Sequence, residues 1–381
     1  MNKMEQIKIL LVGAGGYAFK YISEFIDHPN DKVKLMGICD PYADKSVCYN
    51  QIIERKIPIY NTVNEFFNER KADLAVIVSP IQFHCEQSIF CLENGCNVLC
   101  EKPLCADIEQ ARLMREAELR TGRFIAVGYQ LCFVSSIAEL KKDIMSGKFG
   151  KPLEMKAIHM MRRGSDYYAR NNWAGKIKSG NLLVCDSPFS NASAHQFHNM
   201  LFLLGKTMGT STGVKAVETE LYRANPNIEN FDCMALRCET ETGINVVYYT
   251  AHCVKSKEFG VFSEYKFENA TITYSDNKYT ALFKDGRTKV YDGIDTSLIQ
   301  PKLYNVVDCI NSNTVPICTV ETATPHMQCV HMVQQNQIKP VSNVVCWQDG
   351  EVVYYSIPQL EEKLYNCYKQ AALPCEIGIR F

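Results

Sequence analysis

The sequence predicts an α/β protein with a doubly wound parallel sheet at the N-terminus, followed by an α+β region with a mainly antiparallel, open sheet. Up to about Gly128, apolar runs of strand length alternate with segments of helical periodicity, which is the pattern of a parallel sheet covered on both faces. Beyond that residue, period-two segments separated by Gly and Asn turns dominate. We therefore expect two domains, residues 1–128 and 129–381, because a single core rarely extends over a chain of this length.

Composition excludes several classes of protein. Hydrophobic residues make up 46% and charged residues 22% of the chain, and the formal net charge is −1, so neither nucleic acid nor a membrane surface is an expected partner. No apolar run reaches the ~20 residues of a membrane span. The 18 cysteines have neither zinc-ligand spacing nor the density of a disulfide framework. We therefore expect reduced thiols, no metal site and a cytoplasmic location.

The N-terminal elements alternate along the chain. Apolar runs predict strands at Ile7–Val12, Val33–Cys39, Leu74–Val78, Asn97–Cys100 and Phe124–Val127. Helical spacing predicts helices at Tyr17–Ile26, at Glu86–Glu93, and from Asp107, an N-cap paired with Gln110, to about Thr121. This order of elements is that of repeated βαβ units.

The second region begins with a helix at Ile137–Met145, ended by Gly147. Strands are expected at Leu153–His159, Asp232–Cys238, Asn245–His252, Glu264–Phe267, Thr271–Tyr274 and Tyr279–Lys284. Helices are expected at Ala194–Leu204, near Tyr304–Ile310 and near Thr322–Gln335.

A glycine-rich turn joins the first strand to the first helix. Its first glycine permits the tight turn, and its second lets the backbone approach a pyrophosphate, whose charge the helix N-terminus stabilises. The candidate cofactor ligands in this turn are Gly13, Ala14, Gly15, Gly16 and Tyr17.

Asp40 ends the second strand, where an acidic residue commonly accepts hydrogen bonds from the adenosine ribose hydroxyls. A carboxylate there repels a 2′-phosphate, and the residues that follow, Pro41-Tyr42-Ala43, include no arginine to receive one. We therefore expect NAD as the cofactor, with NADP left open. The alternative is that Asp40 only begins a turn before Pro41.

Two further segments follow predicted strands. Ser79-Pro80 and His84 come after Leu74–Val78, and Glu101-Lys102-Pro103 comes after Asn97–Cys100. Ligands bind at the carboxyl ends of parallel strands, and a lysine before proline has a restricted backbone, so its ammonium is aimed. Taken alone, Lys102 is equally consistent with a surface lysine at a turn.

In combination, these segments resemble the glucose–fructose oxidoreductase, inositol dehydrogenase and rhizopine catabolism (Gfo/Idh/MocA) family. The resemblance rests on 76–80 with His84, on 92–104 with Glu101-Lys102-Pro103, on Val127-Gly128-Tyr129-Gln130 with Phe133, and on the turn 146–152. It spans nearly the whole chain, although the motifs after about residue 215 are faint.

The resemblance implies a Rossmann domain, an α+β domain whose open sheet serves assembly as a homodimer or homotetramer, and NAD(P)-dependent oxidation of a hydroxyl on a sugar, polyol or sugar derivative. It places Lys102 near the nicotinamide and the reacting hydroxyl. The other cofactor candidates that it implies are Ser79, Pro80, His84, Glu101 and Gln130, and Tyr129 joins Lys102 as a substrate candidate.

In relatives, a stretch that corresponds here to 179–205 brings an acid and a histidine to the substrate. The spacing from His195 to Gly205 fits that family pattern, but Asn191 and His198 stand where relatives have aspartates, so Asp186 could be the displaced acid. A neutral imidazole suits the removal of a hydroxyl proton near pH 7. The catalytic candidates are therefore Lys102, His195, Asp186 and Asn191. Asn191, His195 and His198 are also substrate candidates, and either histidine could instead be a helix residue without chemistry.

Arg162 and Trp173 belong to a stretch of arginines and aromatic residues: His159, Arg162, Arg163, Tyr167, Tyr168 and Trp173. Such residues suit a carboxylated or ring-shaped sugar, so Arg162 and Trp173 are substrate candidates. An exposed loop with a packed tryptophan explains the stretch equally well.

Three functions remain open on the sequence. The first is reversible hydride transfer between NAD(P) and a secondary alcohol of a carbohydrate-like substrate. The second is redox-neutral, NAD-dependent glycoside hydrolysis through transient oxidation and elimination. The third is a non-catalytic nicotinamide-binding regulator, against which the presence of both Lys102 and His195 argues.

Overall fold

The structure, a computed structural model, describes residues 6–257 and 259–381. The strands in chain order are β1 (Ile7–Val12), β2 (Val33–Cys39), β3 (Ile59–Tyr60), β4 (Leu74–Ile77), β5 (Asn97–Cys100), β6 (Ile125–Val127), β7 (Pro152–Met160), β8 (Lys178–Ser179), β9 (Leu182–Leu183), β10 (Val214–Arg223), β11 (Cys233–Thr240), β12 (Asn245–Ala251), β13 (Gly260–Phe267), β14 (Ala270–Ser275), β15 (Lys278–Phe283), β16 (Thr288–Tyr291), β17 (Ile338–Pro340), β18 (Val345–Asp349) and β19 (Val352–Ser356). The helices are α1 (Ala18–Asp27), α2 (Tyr49–Glu54), α3 (Val63–Glu69), α4 (His84–Glu93), α5 (Ile108–Thr121), α6 (Ser135–Met145), α7 (Ser165–Ala169), α8 (Ala194–Leu203), α9 (Gln300–Ser312), α10 (Val320–Gln334) and α11 (Leu360–Gln370).

The chain forms two compact units. The first contains the described residues up to Phe133 together with Thr296–Thr324, and the second contains Val134–Asp295 and Pro325–Phe381. The predicted boundary at residue 128 divides the chain once. In the structure, the first unit also includes Thr296–Thr324.

The first unit is built on a six-stranded sheet in the order β3-β2-β1-β4-β5-β6, in which every pair is parallel. Strand order reverses between β1 and β4, which is the topological switch point of a doubly wound sheet. Three strands, β1, β2 and β5, have the predicted bounds, and Asp107 caps α5 by accepting a hydrogen bond from the Gln110 amide at 3.1 Å. The predicted Rossmann fold is confirmed.

The later segment belongs to the first unit because α9 completes its core. Leu303, Val306 and Val307 are fully buried in the same cluster as Ile9 and Leu11 of β1. The sequence placed the helix near Tyr304–Ile310 with the antiparallel sheet. Its apolar stripe was recognised correctly, but periodicity does not say which sheet a stripe covers.

The second unit is built on a nine-stranded sheet in the order β16-β15-β14-β13-β7-β12-β11-β10-β17. Six of its eight pairs are antiparallel, and the β7–β12 and β10–β17 pairs are parallel. Successive side chains of β12 lie on opposite faces. Tyr249 packs in the cluster that includes α11, and the Tyr248 ring lies 5.5 Å from the Phe197 ring of α8. The predicted mainly antiparallel sheet is confirmed.

Sixteen of the eighteen cysteines are buried, and Cys346 and Cys375 are exposed. Buried thiols of this kind pack as small apolar side chains. None of the helices among the described residues is long and apolar enough to cross a membrane.

Candidate functional site

The glycine turn after β1 needs glycine at its first position. Gly13 has a φ of +100°, and a Cβ there would lie 2.9 Å from the amide nitrogen of Ser79 and the carbonyl carbon of Val78. The Gly13 amide donates a hydrogen bond to the Cys39 carbonyl at 2.8 Å. The turn is therefore drawn tightly against the strands on both sides of it, and no side chain fits between them.

The outer part of the same turn is open. Gly15 and Gly16 are exposed, and a Cβ built on either would meet no atom within 4 Å. In the described structure, α1 begins without a capping side chain and without an acidic residue in its first turn. Open space in front of an uncapped helix N-terminus fits the pyrophosphate of a dinucleotide.

Asp40 is fixed beside this turn. One carboxylate oxygen accepts a hydrogen bond from the Ala14 amide at 2.7 Å, and the other accepts one from the Tyr42 amide at 2.8 Å. The two oxygens of a carboxylate have about four acceptor positions, so Asp40 retains the capacity to receive ribose hydroxyls. That role stays a prediction.

His84 links the two loops that follow β4 and β5. Its Nε2 lies 2.8 Å from the Ser79 carbonyl oxygen, and its Nδ1 lies 2.9 Å from the Pro103 carbonyl oxygen. Burial lowers the pKa of this histidine even though both carbonyls favour protonation. The Ser79 hydroxyl donates to Gln87 at 2.5 Å. The side chain of His84 thus holds Ser79, Pro80 and the Lys102-Pro103 turn in one arrangement.

Glu101, directly before Lys102, is the centre of a buried polar cluster. Its Oε1 forms an ion pair with Lys302 of α9 and accepts a hydrogen bond from the Tyr21 hydroxyl of α1 at 2.7 Å. Burial raises the pKa of Glu101, but Lys302, Tyr21 and Lys102 together outweigh burial and bring the pKa below its usual value. The carboxylate is therefore ionised, and it faces protein groups on at least two sides.

The backbone around Lys102 is held by the same carboxylate. The Lys102 amide donates to Glu101 Oε2 at 3.2 Å, and the Lys102–Pro103 peptide bond is cis. A Cβ on Gly128 would lie 2.8 Å from Glu101 Oε2, so glycine is required on the neighbouring strand end. Lys102 itself is half-buried.

The next predicted motif lies in the same unit. Tyr129 is fully buried, and Gln130 donates a hydrogen bond to the Tyr17 hydroxyl at 2.5 Å. The residues of the first unit that were predicted to bind cofactor are thus connected to one another, since Tyr17 and Tyr21 of the α1 segment contact Gln130 and Glu101 respectively.

In the second unit, Asp186 has its carboxylate occupied. It accepts hydrogen bonds from the Gly175 amide at 2.7 Å and from the Asn191 side-chain amide at 2.8 Å, and an Arg170 nitrogen lies 3.8 Å away. The two candidates for the family acid, Asp186 and Asn191, are therefore hydrogen-bonded to each other. Which of them replaces that acid stays a prediction.

His195 and His198 occupy different environments on α8. His195 is half-buried, whereas His198 is fully buried, with its ring stacked 6.4 Å from the Phe202 ring. The start of α8 is fixed over β12, because the Ser193 hydroxyl lies 2.9 Å from the Thr250 hydroxyl. Of the two histidines, His195 is the one with exposed surface.

Arg162 and Trp173 are both half-buried in the loops of the second unit. The Arg162 guanidinium lies 4.5 Å from the Tyr354 ring centre and donates to the Lys255 carbonyl at 3.3 Å. The Arg170 guanidinium lies 5.4 Å from the Trp173 ring centre.

Sequence reasoning missed two residues of the first-unit cluster, Tyr21 and Lys302. Tyr21 was read only as part of the apolar stripe of α1. A lysine on the buried stripe of α9 is the signal that could have revealed Lys302, because a buried lysine needs a partner. The identity of that partner depends on tertiary structure.

The fold and this arrangement define a class, a dinucleotide-binding protein with a Rossmann unit. Residues 7–129 match the family model described as "Oxidoreductase family, NAD-binding Rossmann fold". Residues 7–129 of the first unit thus form an NAD-binding domain of the Gfo/Idh/MocA oxidoreductase family.

Relatives with assigned activities match parts of the chain. D-glucoside 3-dehydrogenase of Escherichia coli is 26% identical over 202 residues, which cover 52% of this chain and 54% of that protein. Inositol 2-dehydrogenase of Mycolicibacterium smegmatis is 43% identical over 89 residues, or 23% of this chain and 26% of that protein. The chain thus spans about half the length of the first of these relatives, and less of the second.

Solved structures share the fold over most of the chain. The WlbA dehydrogenase from Chromobacterium violaceum, in complex with NADH and UDP-GlcNAcA, matches 87% of this chain and 93% of its own with a TM-score of 0.72 and 18% identity. The WlbA dehydrogenase from Bordetella pertussis, with the same ligands, matches 87% and 96% with a TM-score of 0.70 and 18% identity.

Proposed function

We propose that this protein is an NAD-dependent dehydrogenase that reversibly oxidises a secondary alcohol of a sugar, polyol or sugar derivative to the ketone. The observation that carries the proposal is the way in which α1 joins two functional segments. This helix begins at the glycine turn, and its Tyr21 binds Glu101, the residue directly before Lys102. The turn that carries Lys102 is thereby held at the same edge of the sheet as the glycine turn.

The residues that would hold the cofactor are those of the first unit. Gly13, Gly15 and Gly16 provide close approach at the turn, and Asp40 offers acceptors to the ribose. A fixed carboxylate at this place disfavours the 2′-phosphate of NADP, which supports NAD as the preferred cofactor.

Bound NAD⁺ supplies the acceptor for the hydride that leaves the alcohol carbon. In our proposal, the Lys102 ammonium donates a hydrogen bond to the alcohol oxygen and stabilises the negative charge that develops there as its proton leaves. His195 is the proposed acceptor of that proton, because it is the half-exposed histidine of α8.

The substrate class draws support from the named relatives, which act on a glucoside and on inositol. We further propose a cytoplasmic homo-oligomer that assembles through the sheet of the second unit. Four large apolar side chains are exposed along four strands of that sheet: Leu153, Phe262, Leu282 and Val290.

The experiment that tests the proposal follows nicotinamide absorbance while the protein and NAD⁺ meet polyols, aldoses, uronic acids and simple glycosides. We expect NADH to form with one of these classes and Lys102→Ala to lower kcat by about 100-fold or more, with NAD⁺ binding retained. Lys34→Ala, an exposed lysine on β2, is the matched control. Glycoside cleavage without net NADH would replace the dehydrogenase by the redox-neutral hydrolase.

Cofactor choice has its own test. In Asp40→Asn, the side-chain oxygen can still accept the Ala14 amide, but the negative charge is gone. We expect the ratio of NADP to NAD affinity to rise about tenfold. An unchanged ratio would mean that Asp40 does not face the ribose.

A further inference from the structure

Arg163, directly after Arg162, carries a charge that no carboxylate among the described residues neutralises. Within the described residues, its Nε is buried without a hydrogen-bond partner, and its Nη2 donates to the Met161 sulfur at 3.6 Å. Its guanidinium lies 4.8 Å from the centre of the Tyr167 ring. A buried donor without an acceptor is costly to the folded state, so its presence calls for a ligand that supplies the acceptor.

Two histidines beside Arg163 also have unused ring nitrogens. His252 is 2% exposed, its Nδ1 lies 2.9 Å from the Tyr168 hydroxyl, and its Nε2 is buried without a partner. His159 likewise has a buried, unpartnered Nδ1. Burial, and then the charge of Arg163, lowers the pKa of His252 well below its usual value and that of His159 to about 4. Both rings are therefore neutral near pH 7, and each has one N–H. In His252 this N–H lies on the unpartnered Nε2 when the Tyr168 hydroxyl donates to Nδ1.

The sheet brings these groups together. The strands β7 and β12 run parallel with His159 opposite Thr250, so both strands end at the same edge. His252 is the first residue after β12, and its carbonyl accepts a hydrogen bond from the Arg163 amide at 3.1 Å. Three side chains with unpartnered nitrogens thus lie at the carboxyl ends of one parallel pair.

The nearby carboxylates are occupied by other donors. Both oxygens of Asp186 accept the hydrogen bonds of Gly175 and Asn191 described above. Asp232 accepts the Ala224 and Asn225 amides at 2.8 Å each, and burial raises its pKa to about 6. Neither acid forms an ion pair with Arg163.

A second arginine lies close to the first. The Arg170 guanidinium lies 3.7 Å from the centre of the same Tyr167 ring, and it has Asp186 within 3.8 Å as a partial counterion. One positive charge, that of Arg163, has no counterion in the part of the chain that the structure describes. A single unneutralised charge with planar donors matches a monoanionic carboxylate better than a phosphate dianion.

We propose that Arg163, His159 and His252 bind the carboxylate of an acidic sugar, and that this group sets the substrate class of the enzyme. The inference rests on the proposed function, since it names the substrate of the same reaction. A chain of contacts connects Arg163 to the predicted catalytic stretch. Arg163 and Arg170 lie against the same Tyr167 ring, Arg170 lies near Asp186, and Asn191 donates to Asp186. Arg163 is a substrate-binding residue in this proposal and takes no part in the proton or hydride step.

The test compares matched pairs of substrates that differ only in the carboxylate. NADH formation is measured with D-glucuronate against D-glucose and with D-galacturonate against D-galactose. We expect the acids to have at least about tenfold higher kcat/KM, and Arg163→Gln to lower kcat/KM for the acids by about 100-fold. Arg163→Lys, which keeps the charge but loses the planar fork, should retain part of this activity. Arg287→Gln, at an arginine whose side chain is 75% exposed, should behave as wild type.

Binding without turnover separates this proposal from the proposed function. Calorimetric titration of D-glucuronate into the wild-type protein with NADH should show binding that Arg163→Gln abolishes, while thermal unfolding confirms that the variant is folded. If neutral sugars are oxidised as well as acids and Arg163→Gln has no effect, the carboxylate site is wrong but the dehydrogenase stands. If glucuronate binds through Arg163 but no substrate yields NADH, the site stands and the proposed function fails. Preference for D-glucose 6-phosphate over D-glucuronate would overturn the assignment to a carboxylate.

Discussion

Lys302 is a fully buried cation and Arg163 is a half-buried one, and of the two only Lys302 has a counterion among the described residues. Lys302, in the first unit, pairs with Glu101, whose carboxylate is also bound by Tyr21. Arg163, in the second unit, has a buried Nε without a partner and no ion pair among the described residues. Lys302 contacts Glu101, which directly precedes Lys102, and Arg163 directly follows Arg162. Nearness to a predicted functional residue therefore does not distinguish the two cations.

The difference indicates two uses of a positive charge that lies partly or wholly inside the fold. A charge that the fold itself neutralises holds backbone in place, as the cluster of Glu101 does for the Lys102 turn. A charge that the fold leaves unneutralised is suited to a ligand that brings the missing acceptor. The predictions below test this distinction through stability, where replacing Lys302 should cost much and replacing Arg163 should cost little.

The largest effect is expected for Lys302→Met. The substitution leaves the Glu101 carboxylate buried without its counterion, and we expect the free energy of unfolding to fall by about 3–5 kcal/mol. Urea unfolding monitored by circular dichroism measures this. A loss below about 1 kcal/mol would show that water or another group replaces the ammonium.

The matched control is the double variant Glu101→Gln with Lys302→Met. Because it removes both charges together, the double variant should be more stable than Lys302→Met alone. A double variant that is equally or more unstable would assign the loss to packing of the lysine stem.

The next effect concerns pH and the neutral histidines near Arg163. The pKa of His159 is about 4 in the folded protein against 6.5 in the unfolded chain. Between these values the unfolded chain holds the additional proton, so stability falls as pH drops from about 6.5 to about 4, by about 3 kcal/mol from this group.

Unfolding of wild type and His159→Gln at pH 7 and at pH 4 measures that contribution. The variant should lose about 3 kcal/mol less than wild type over this interval. Equal losses would place the titration of His159 near its ordinary value, and would weaken the assignment of its ring as neutral.

A smaller effect is expected for Tyr21→Phe, which removes one hydrogen bond to Glu101 while the Lys302 pair remains. Loss of a hydrogen bond to a charged group should cost about 1.5–3 kcal/mol of unfolding free energy. Tyr304→Phe, whose hydroxyl binds Glu24 at 2.9 Å in a less buried place, is the matched control and should cost less. Equal costs would remove the distinction between the two tyrosines.

The smallest effect is expected for Arg163→Gln. Since the charge has no partner to leave behind, unfolding free energy without ligand should change by less than about 1 kcal/mol, in contrast to Lys302→Met. Thermal unfolding checks this on the same samples. A loss as large as that of Lys302→Met would mean that Arg163 supports the fold itself.

Much of the fold followed from the sequence, because the strands of the first unit are short and predominantly apolar. β1, β2 and β5 begin and end at the predicted residues, and glycine or a carboxylate residue directly follows each run: Gly13, Asp40 and Glu101. The stretch 43–69 gave no such signal. Its short elements, α2, α3 and β3, depend on contacts with the rest of the sheet.

The candidate residues of the two units were predictable to different degrees. The glycine turn and the Lys102 turn are contiguous in sequence, so local pattern identified them. The Glu101–Lys302 pair and the Arg163–His252 contact join residues that are distant along the chain, and one sequence does not show such contacts.

The sequence by itself determined the Rossmann fold of the first unit, the mainly antiparallel sheet of the second, and the glycine turn that fits NAD, because all three depend on local periodicity and on the backbone freedom of glycine. The tertiary structure decided that α9 returns to the first core, that Lys302 neutralises Glu101, and that Arg163 has no counterion among the described residues. The physical reason is that neutralisation of a buried charge depends on which distant group folding brings within a few ångströms of it.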